Sequence, residues 1–234
     1  MDKMDGTVLV TGACGNVGRA VAAAFARRGA RLALLDRDAD QLRAAFGADT
    51  ATQAGFACDL LDAEAVAATV GRVTAALGPI AVLCNIAGGF RMGEPVHATS
   101  DATWDFLMDI NVRSVLHTAR AVVPGMLAAG GGAIVNVGAA AAARGGAHMG
   151  AYAASKSAVA RLTESMSAEL RERGIHVNAV LPTIIDTPEN RRDMPTADPA
   201  RWVAPADLAE VIAFLASPAA RAIHGASVPV SGLS

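Results

Sequence analysis

The chain has 234 residues, of which 53% are hydrophobic and 18% charged, with a formal net charge of −2 at pH 7. That apolar content excludes a disordered chain and suits a single large α/β domain whose sheet is buried on both faces. The balanced charge, with no Lys/Arg run interleaved with aromatics, excludes nucleic acid as the expected partner, and the absence of 18 consecutive apolar residues excludes a membrane partner.

In chain order, the charged start MDKMDGT passes directly into VLV without an apolar leader, so a cytoplasmic location is expected. TVLVTG reads as a strand, followed by a helix through Val21 to Arg28 and a second strand, RLALLD, a βαβ opening. TQAGFACDL and IAVLCNIAG read as further strands, separated by a helix from about residue 63 to 76. A long helix over about 102–128, the strand GAIVNVG, a helix over 152–173 and the strand IHVNAVLP follow. The segment PENRRDMPTADPARWVAP reads as irregular, and a helix near 206–215 and a short strand SVPV close the chain. The pattern predicts a doubly wound, seven-stranded, mostly parallel sheet in three α/β/α layers, a single domain spanning 1–234. Cys14, Cys58 and Cys84 lack C-x-x-C spacing and read as buried free thiols, and no histidine spacing suggests a metal.

In such a sheet ligands bind beyond the carboxyl ends of the strands. Thr11 to Gly18, with Gly12, Asn16, Val17 and Gly18 as its contact residues, follows the first strand and opens a helix. Free backbone N–H groups and the positive end of the helix dipole there suit a pyrophosphate. Asp36 ends the second strand 24 positions after Gly12, where a carboxylate accepts from ribose hydroxyls and repels a 2′-phosphate. NAD(H) is therefore expected in preference to NADP(H), with Arg19 and Arg37 as the residues that could still receive a phosphate. Asp59 and Leu60, after the third strand, are expected beside the adenine.

Several ordered motifs resemble those of the short-chain dehydrogenase/reductase family across nearly the whole chain. They are TGACGNVG, Asn85-Ile86-Ala87-Gly88, Asn111 in DINVRSV, Tyr152 to Lys156 as Y-x-x-x-K, and Pro182-Thr183 followed by Ile185 and Thr187. In TGACGNVG, Asn16 stands where the family has its second glycine, and Asn tolerates a left-handed backbone. The resemblance implies that Asn85, Ala87, Gly88, Pro182, Ile185 and Thr187 also contact the cofactor. Tyr152 would carry the proton, Lys156 would hold the nicotinamide ribose, and Asn111 would fix a water and the helix behind Lys156. Residues at i and i+4 share a helix face, so the Lys156 ammonium is expected to lower the pKa of the Tyr152 phenol. The family's usual serine lies 13 residues before the tyrosine, and that position here is Ala139. Losing one oxyanion donor costs on the order of 100- to 1000-fold in rate, so an altered substrate or weak activity is expected.

Leu181 to Trp202 also resembles the dihydropteridine reductases, through L-P-x-x-x-D-T-P-x-N-R-x-x-M-P-x-A-D-x-x-x-W. This resemblance implies a small conjugated acceptor, a quinonoid dihydropteridine, which a Tyr/Lys donor could serve without the serine. The alternatives are a carbonyl/alcohol reductase of the 3-oxoacyl type, with water or Thr183 in place of the serine hydroxyl, and a catalytically weak dinucleotide-binding protein. Met149, Met194 and Trp202 could wall the pocket, and Asp186, Asn190, Arg191 and Arg192 read equally as loop caps. The alanine-rich helices permit close packing between copies, and a homodimer or homotetramer is expected.

Overall fold

In the computed structural model, which describes residues 6–234 and leaves the first five positions of the expected domain outside, the strands are β1 (Thr7–Thr11), β2 (Arg31–Asp36), β3 (Gln53–Ala57), β4 (Ile80–Asn85), β5 (Gly132–Val137), β6 (Ile175–Pro182) and β7 (Ser227–Val230). They form one sheet in the order β3-β2-β1-β4-β5-β6-β7, with every neighbouring pair parallel. The strand order reverses between β1 and β4. Crossovers there leave towards opposite faces and open a crevice at the strands' carboxyl ends.

The strands read as unbroken apolar runs because helices cover both faces. Val8, Val10, Leu32 and Leu34 pack beneath helices α1 (Asn16–Ala26) and α8 (Pro205–Leu215). Leu9, Ala33, Leu35, Leu83 and Ile134 face the other way, towards α3 (Ala63–Leu77) and α5 (Ser114–Ala129). Between β2 and β3 lies α2 (Ala39–Phe46), which the hydrophobic pattern had not revealed. It is short and its only buried residue is Leu42, but the Asp38 carboxylate caps it by accepting from the N–H groups of Asp40 and Gln41.

The expected helix over 102–128 is not continuous. It divides into α4 (Asp101–Met108) and α5, joined by a π-helical turn over Asp109–Arg113. Helix α6 (Gly150–Leu170) ends in a 3-10 turn at Arg171–Arg173. The segment read as irregular holds a short helix, α7 (Pro188–Asp193), and a turn at Pro199–Arg201. Cys58 and Cys84 are buried thiols, whereas Cys14 is only half-buried, because it sits in the turn that edges the crevice. Among the described residues no helix is long and apolar enough to cross a membrane, and no three His, Cys, Asp or Glu gather as metal ligands.

Candidate active site

A crevice of about 820 Å³ follows the ends of β1, β2 and β4. Gly12, Asn16, Val17, Gly18, Asp36, Asp59, Leu60, Ala87, Gly88 and Thr187 line it, so most of the expected dinucleotide residues converge. The floor is backbone, and it is tight. A Cβ on Gly12, whose φ is +62°, would fall 2.8 Å from the Ala87 Cα, and one on Gly18 would fall 2.2 Å from the Gly12 carbonyl oxygen. Gly15 precedes α1 without a side-chain cap, which leaves the first N–H groups of that helix free for an anion. Asn16 begins α1 with an ordinary right-handed backbone, so the left-handed geometry expected of it is not needed. Its Nδ2 instead donates to Glu189 Oε2 at 2.9 Å.

Asp36 is held in place by two backbone donors, Cys14 N at 2.9 Å and Arg37 N at 2.8 Å. Burial and the nearby Asp36 carboxylate push the Cys14 thiol up to about 11, so it stays protonated at neutral pH. The loop after β4 hangs on Thr11, whose Oγ1 accepts from Ile86 N at 3.1 Å and Ala87 N at 3.2 Å.

Asn85 is placed differently from the expectation. Its side chain is buried in a hydrogen-bonded row that crosses the sheet. Thr118 Oγ1 donates to Asn85 Oδ1 at 2.8 Å, Asn85 Nδ2 to Asn136 Oδ1 at 2.9 Å, and Asn136 Nδ2 to Thr163 Oγ1 at 2.9 Å. This row ties α5, β4, β5 and α6 together behind the site. Pro182 is likewise buried, and Ile185 packs against the core and bridges to Val203. The Thr183 hydroxyl donates to Ser231 O at 3.0 Å and lies 2.8 Å from Ser234 Oγ, so it is engaged on the C-terminal turn.

Beyond Gly88 lie the three residues expected to be catalytic. Lys156 is buried, and its Nζ donates to Val137 O at 2.9 Å, which pins the ammonium at the end of β5. A Cβ on Gly88 would meet Asn111 Oδ1 at 2.9 Å and Lys156 Nζ at 3.2 Å, so both groups abut the crevice through a glycine that leaves them room. Asn111 lies in the π-helical turn, a widened backbone that often marks function, and is 1% exposed. Its Oδ1 accepts from Gly89 N at 2.9 Å, and its Nδ2 donates to Gly89 O and to Ser155 Oγ, both at 3.0 Å. Ser155 Oγ donates in turn to Tyr152 O at 2.8 Å.

Tyr152, one helical turn before Lys156 on α6, packs edge-to-face with Phe90, the ring centroids 4.8 Å apart. Burial pushes its phenol up to about 12, and burial lowers the Lys156 ammonium to about 8. The expected depression of the phenol is thus reversed. Desolvation of the phenolate is the cause, and the Lys156 ammonium is bonded to the Val137 carbonyl. Ala139 follows β5 in extended backbone and is buried, and the 3-10 turn after it, Ala140–Ala142, packs on α6. Phe90, Gly89, Ser155 and Asn136 are the site residues that the motifs did not single out, although Ser155 lies inside the quoted Y-x-x-x-K.

Residues 6–197 match a family profile described as short chain dehydrogenase. The sequence is 38% identical to D-threitol dehydrogenase of Mycolicibacterium smegmatis, over 98% of this chain and 93% of that protein. It is 37% identical to galactitol 2-dehydrogenase (L-tagatose-forming) of Cereibacter sphaeroides, over 98% and 95%. Among solved structures, an NADPH-bound short chain oxidoreductase of Pseudomonas aeruginosa PAO1, described as containing an atypical catalytic center, superposes with a TM-score of 0.90. It shares 29% identity, over 99% of this chain and 97% of that one.

Proposed function

The chain belongs to the short chain dehydrogenase family, and from that premise we propose that it interconverts a secondary alcohol and a ketone, with a nicotinamide dinucleotide held in the crevice and Tyr152 moving the proton. The residues fit such a cofactor. Gly12 and Gly18 leave a cradle that a Cβ would fill, and α1 offers free N–H groups at its end. When bound, the nicotinamide ring supplies the chemistry of giving or taking a hydride.

The carrying observation is the Lys156 ammonium, buried and pinned on Val137 O one helical turn from Tyr152, against the Gly88 wall of the crevice. In alcohol oxidation the Tyr152 phenolate takes the hydroxyl proton as the hydride leaves the carbon, and in ketone reduction the phenol returns that proton to the new alkoxide. Lys156 supplies positive charge near the proton-bearing oxygen and donors for ribose hydroxyls. Asn111 holds the loop at Gly89 and the helix at Ser155 in fixed relation. Asp36, with its carboxylate fixed at the end of β2, favours NAD(H) over NADP(H), because it accepts from hydroxyls and repels a phosphate.

The secondary-alcohol class is supported by the names of the two polyol dehydrogenases above. The quinonoid dihydropteridine reading rests on the Leu181–Trp202 motif, and the motif residues fold their own segment. Asp186 pairs with Arg191, Asn190 Nδ2 donates to Ile185 O at 2.7 Å, and Trp202 is buried. We further propose a homodimer or homotetramer, since α4 and α5 leave Trp104 and Leu116 exposed as apolar surface for a second copy.

A panel of secondary alcohols with NAD⁺ and NADP⁺, and of the matching ketones with NADH and NADPH, tests the reading. Turnover of at least one alcohol/ketone pair is expected, with NAD(H) favoured by about tenfold or more, equivalent to about 1.4 kcal/mol. Tight NADH binding without turnover across the panel would leave a dinucleotide-binding protein in place of an enzyme. A preference for NADPH would overturn the role given to Asp36.

A further inference from the structure

Resting on that dehydrogenase reading, we propose that Phe90 is a substrate-facing specificity residue, selecting alcohols and ketones with apolar carbon beside the reacting centre over fully hydroxylated chains. The Phe90 ring stands edge-to-face on the Tyr152 ring at 4.8 Å and 88°, yet 55% of Phe90 is exposed. An aromatic ring left half in solvent beside the acid/base group is surface for a ligand to cover.

The placement of this ring is fixed by its surroundings. Both backbone polar groups of Gly89 are bonded to the Asn111 carboxamide, and a Cβ there would fall 2.7 Å from Phe106 Cζ and 2.9 Å from Ile110 Cγ2. The chain is therefore clamped one residue before Phe90. The same carboxamide reaches Tyr152 through the Ser155 hydroxyl, so one buried side chain holds the backbones that carry both rings.

At the pair and beside it, Phe90 and Met92 are apolar side chains left more than half exposed. Arg91, Met92, Glu94 and residues 148–151 contribute to a recess of about 280 Å³ at the start of α6, with Met92, Met149 and His148 on its wall. Ala139, buried at the end of β5, brings a methyl group where the family resemblance expects a hydroxyl. Arg91 lies over the Phe106 ring at 3.9 Å, and Glu94 accepts from Ser100 and Thr103. A polyol set against Phe90 and Met92 would lose hydration of its hydroxyls without replacement, whereas an alkyl or cyclic carbon face would not.

The test measures kcat/KM with NAD⁺ for cyclohexanol and 2-butanol against threitol and galactitol, in the wild-type chain, Phe90→Ala and Phe90→Leu. The wild type is expected to favour the apolar alcohols. Phe90→Ala should reduce that preference roughly tenfold or more, mainly through KM, and Phe90→Leu should restore most of it. NADH affinity, read by fluorescence, should be unchanged in both variants. A wild-type preference for the polyols, an unmoved ratio in Phe90→Ala, or an equal fall for all four alcohols overturns the role of Phe90 while leaving the dehydrogenase reading intact. Absence of wild-type turnover with all four, and with the wider panel above, removes that reading and the selectivity with it.

Discussion

The two ends of the crevice are built from different materials. At the β1–β2 end the ligand surface is backbone: the turn around Gly12 and Gly18, the uncapped start of α1, and a loop hung on the Thr11 hydroxyl. At the α6 end it is side chains on loops, with Phe90 and Met92 more than half exposed and His148 held at a left-handed φ of 60°. A backbone surface depends on close approach, so it is encoded in short local patterns of small residues. A side-chain surface depends on which loops meet, and local patterns carry little of that information. On the proposed function, the first end would hold the cofactor and the second would set what is transformed.

If the ends are separable, a change at Tyr152 should abolish chemistry and spare cofactor binding. Tyr152→Phe is expected to lower kcat by about 100- to 10,000-fold, with NADH affinity held within a factor of about two. Steady-state rates and a fluorescence titration on one preparation check both. A parallel collapse of NADH affinity would show that the two ends act as one unit.

The converse change strikes the backbone end. A Cβ at Gly18 would lie 2.2 Å from the Gly12 carbonyl oxygen and 2.8 Å from the Ala13 Cα, and backbone atoms cannot swing aside as a flexible side chain can. Gly18→Ala should therefore push α1 off the turn, costing about 1–3 kcal/mol in urea unfolding and weakening NADH binding by more than about tenfold. Retention of wild-type affinity would mean that the turn has slack that its geometry does not show.

Lys156 sits where the two ends meet, and its burial makes a pH signature. Its folded pKa of about 8 lies below the ordinary lysine value of 10.5, so between those values the unfolded chain keeps a proton that the folded chain has released. Stability should rise with pH through that window, by on the order of 1 kcal/mol per pH unit relative to Lys156→Met. The raised phenol acts in the opposite sense, since the folded chain holds the Tyr152 proton from pH 10 towards about 12, and stability from that source falls there. Urea midpoints between about pH 8 and pH 9.5 keep the two apart. A pH-independent difference between wild type and Lys156→Met would refute the buried cation.

Legibility followed the same division. Seven strands, the crevice and the glycine turn were readable because apolar runs and close-approach glycines are local signals. Asn85 was readable as a motif residue, but its side chain turned out to belong to a row shared with Thr118, Asn136 and Thr163, partners up to dozens of positions away. Asn111 could be picked out by resemblance, whereas the π-helical turn that aims it has no pattern distinct from an ordinary helix. The direction of the Tyr152 shift was misjudged because spacing gives the distance between two groups along a helix and says nothing about the desolvation of either. Phe90 was invisible for a simpler reason. Nothing in the sequence places the residue after Gly88-Gly89 against a ring more than 60 positions later.

A contact joins the glycine turn to the segment after β6, and it offers the smallest expected effect. Asn16 Nδ2 donates to Glu189 Oε2 at 2.9 Å, linking α1 to α7 across 173 positions, while Thr187 at the start of α7 lines the crevice and caps that helix through Asn190 N. The bond is exposed, so its loss should be modest. Glu189→Ala is expected to speed NADH dissociation about two- to fivefold in stopped-flow fluorescence, with Glu189→Gln closer to wild type because it keeps an acceptor oxygen for Asn16. An unchanged off-rate would mean that α7 is held over the turn by Thr187 and the core contacts of Ile185 alone. A hundredfold change would make this contact a principal fastening of the cofactor, and the glycine-turn end would then rest on a side chain as well as on backbone.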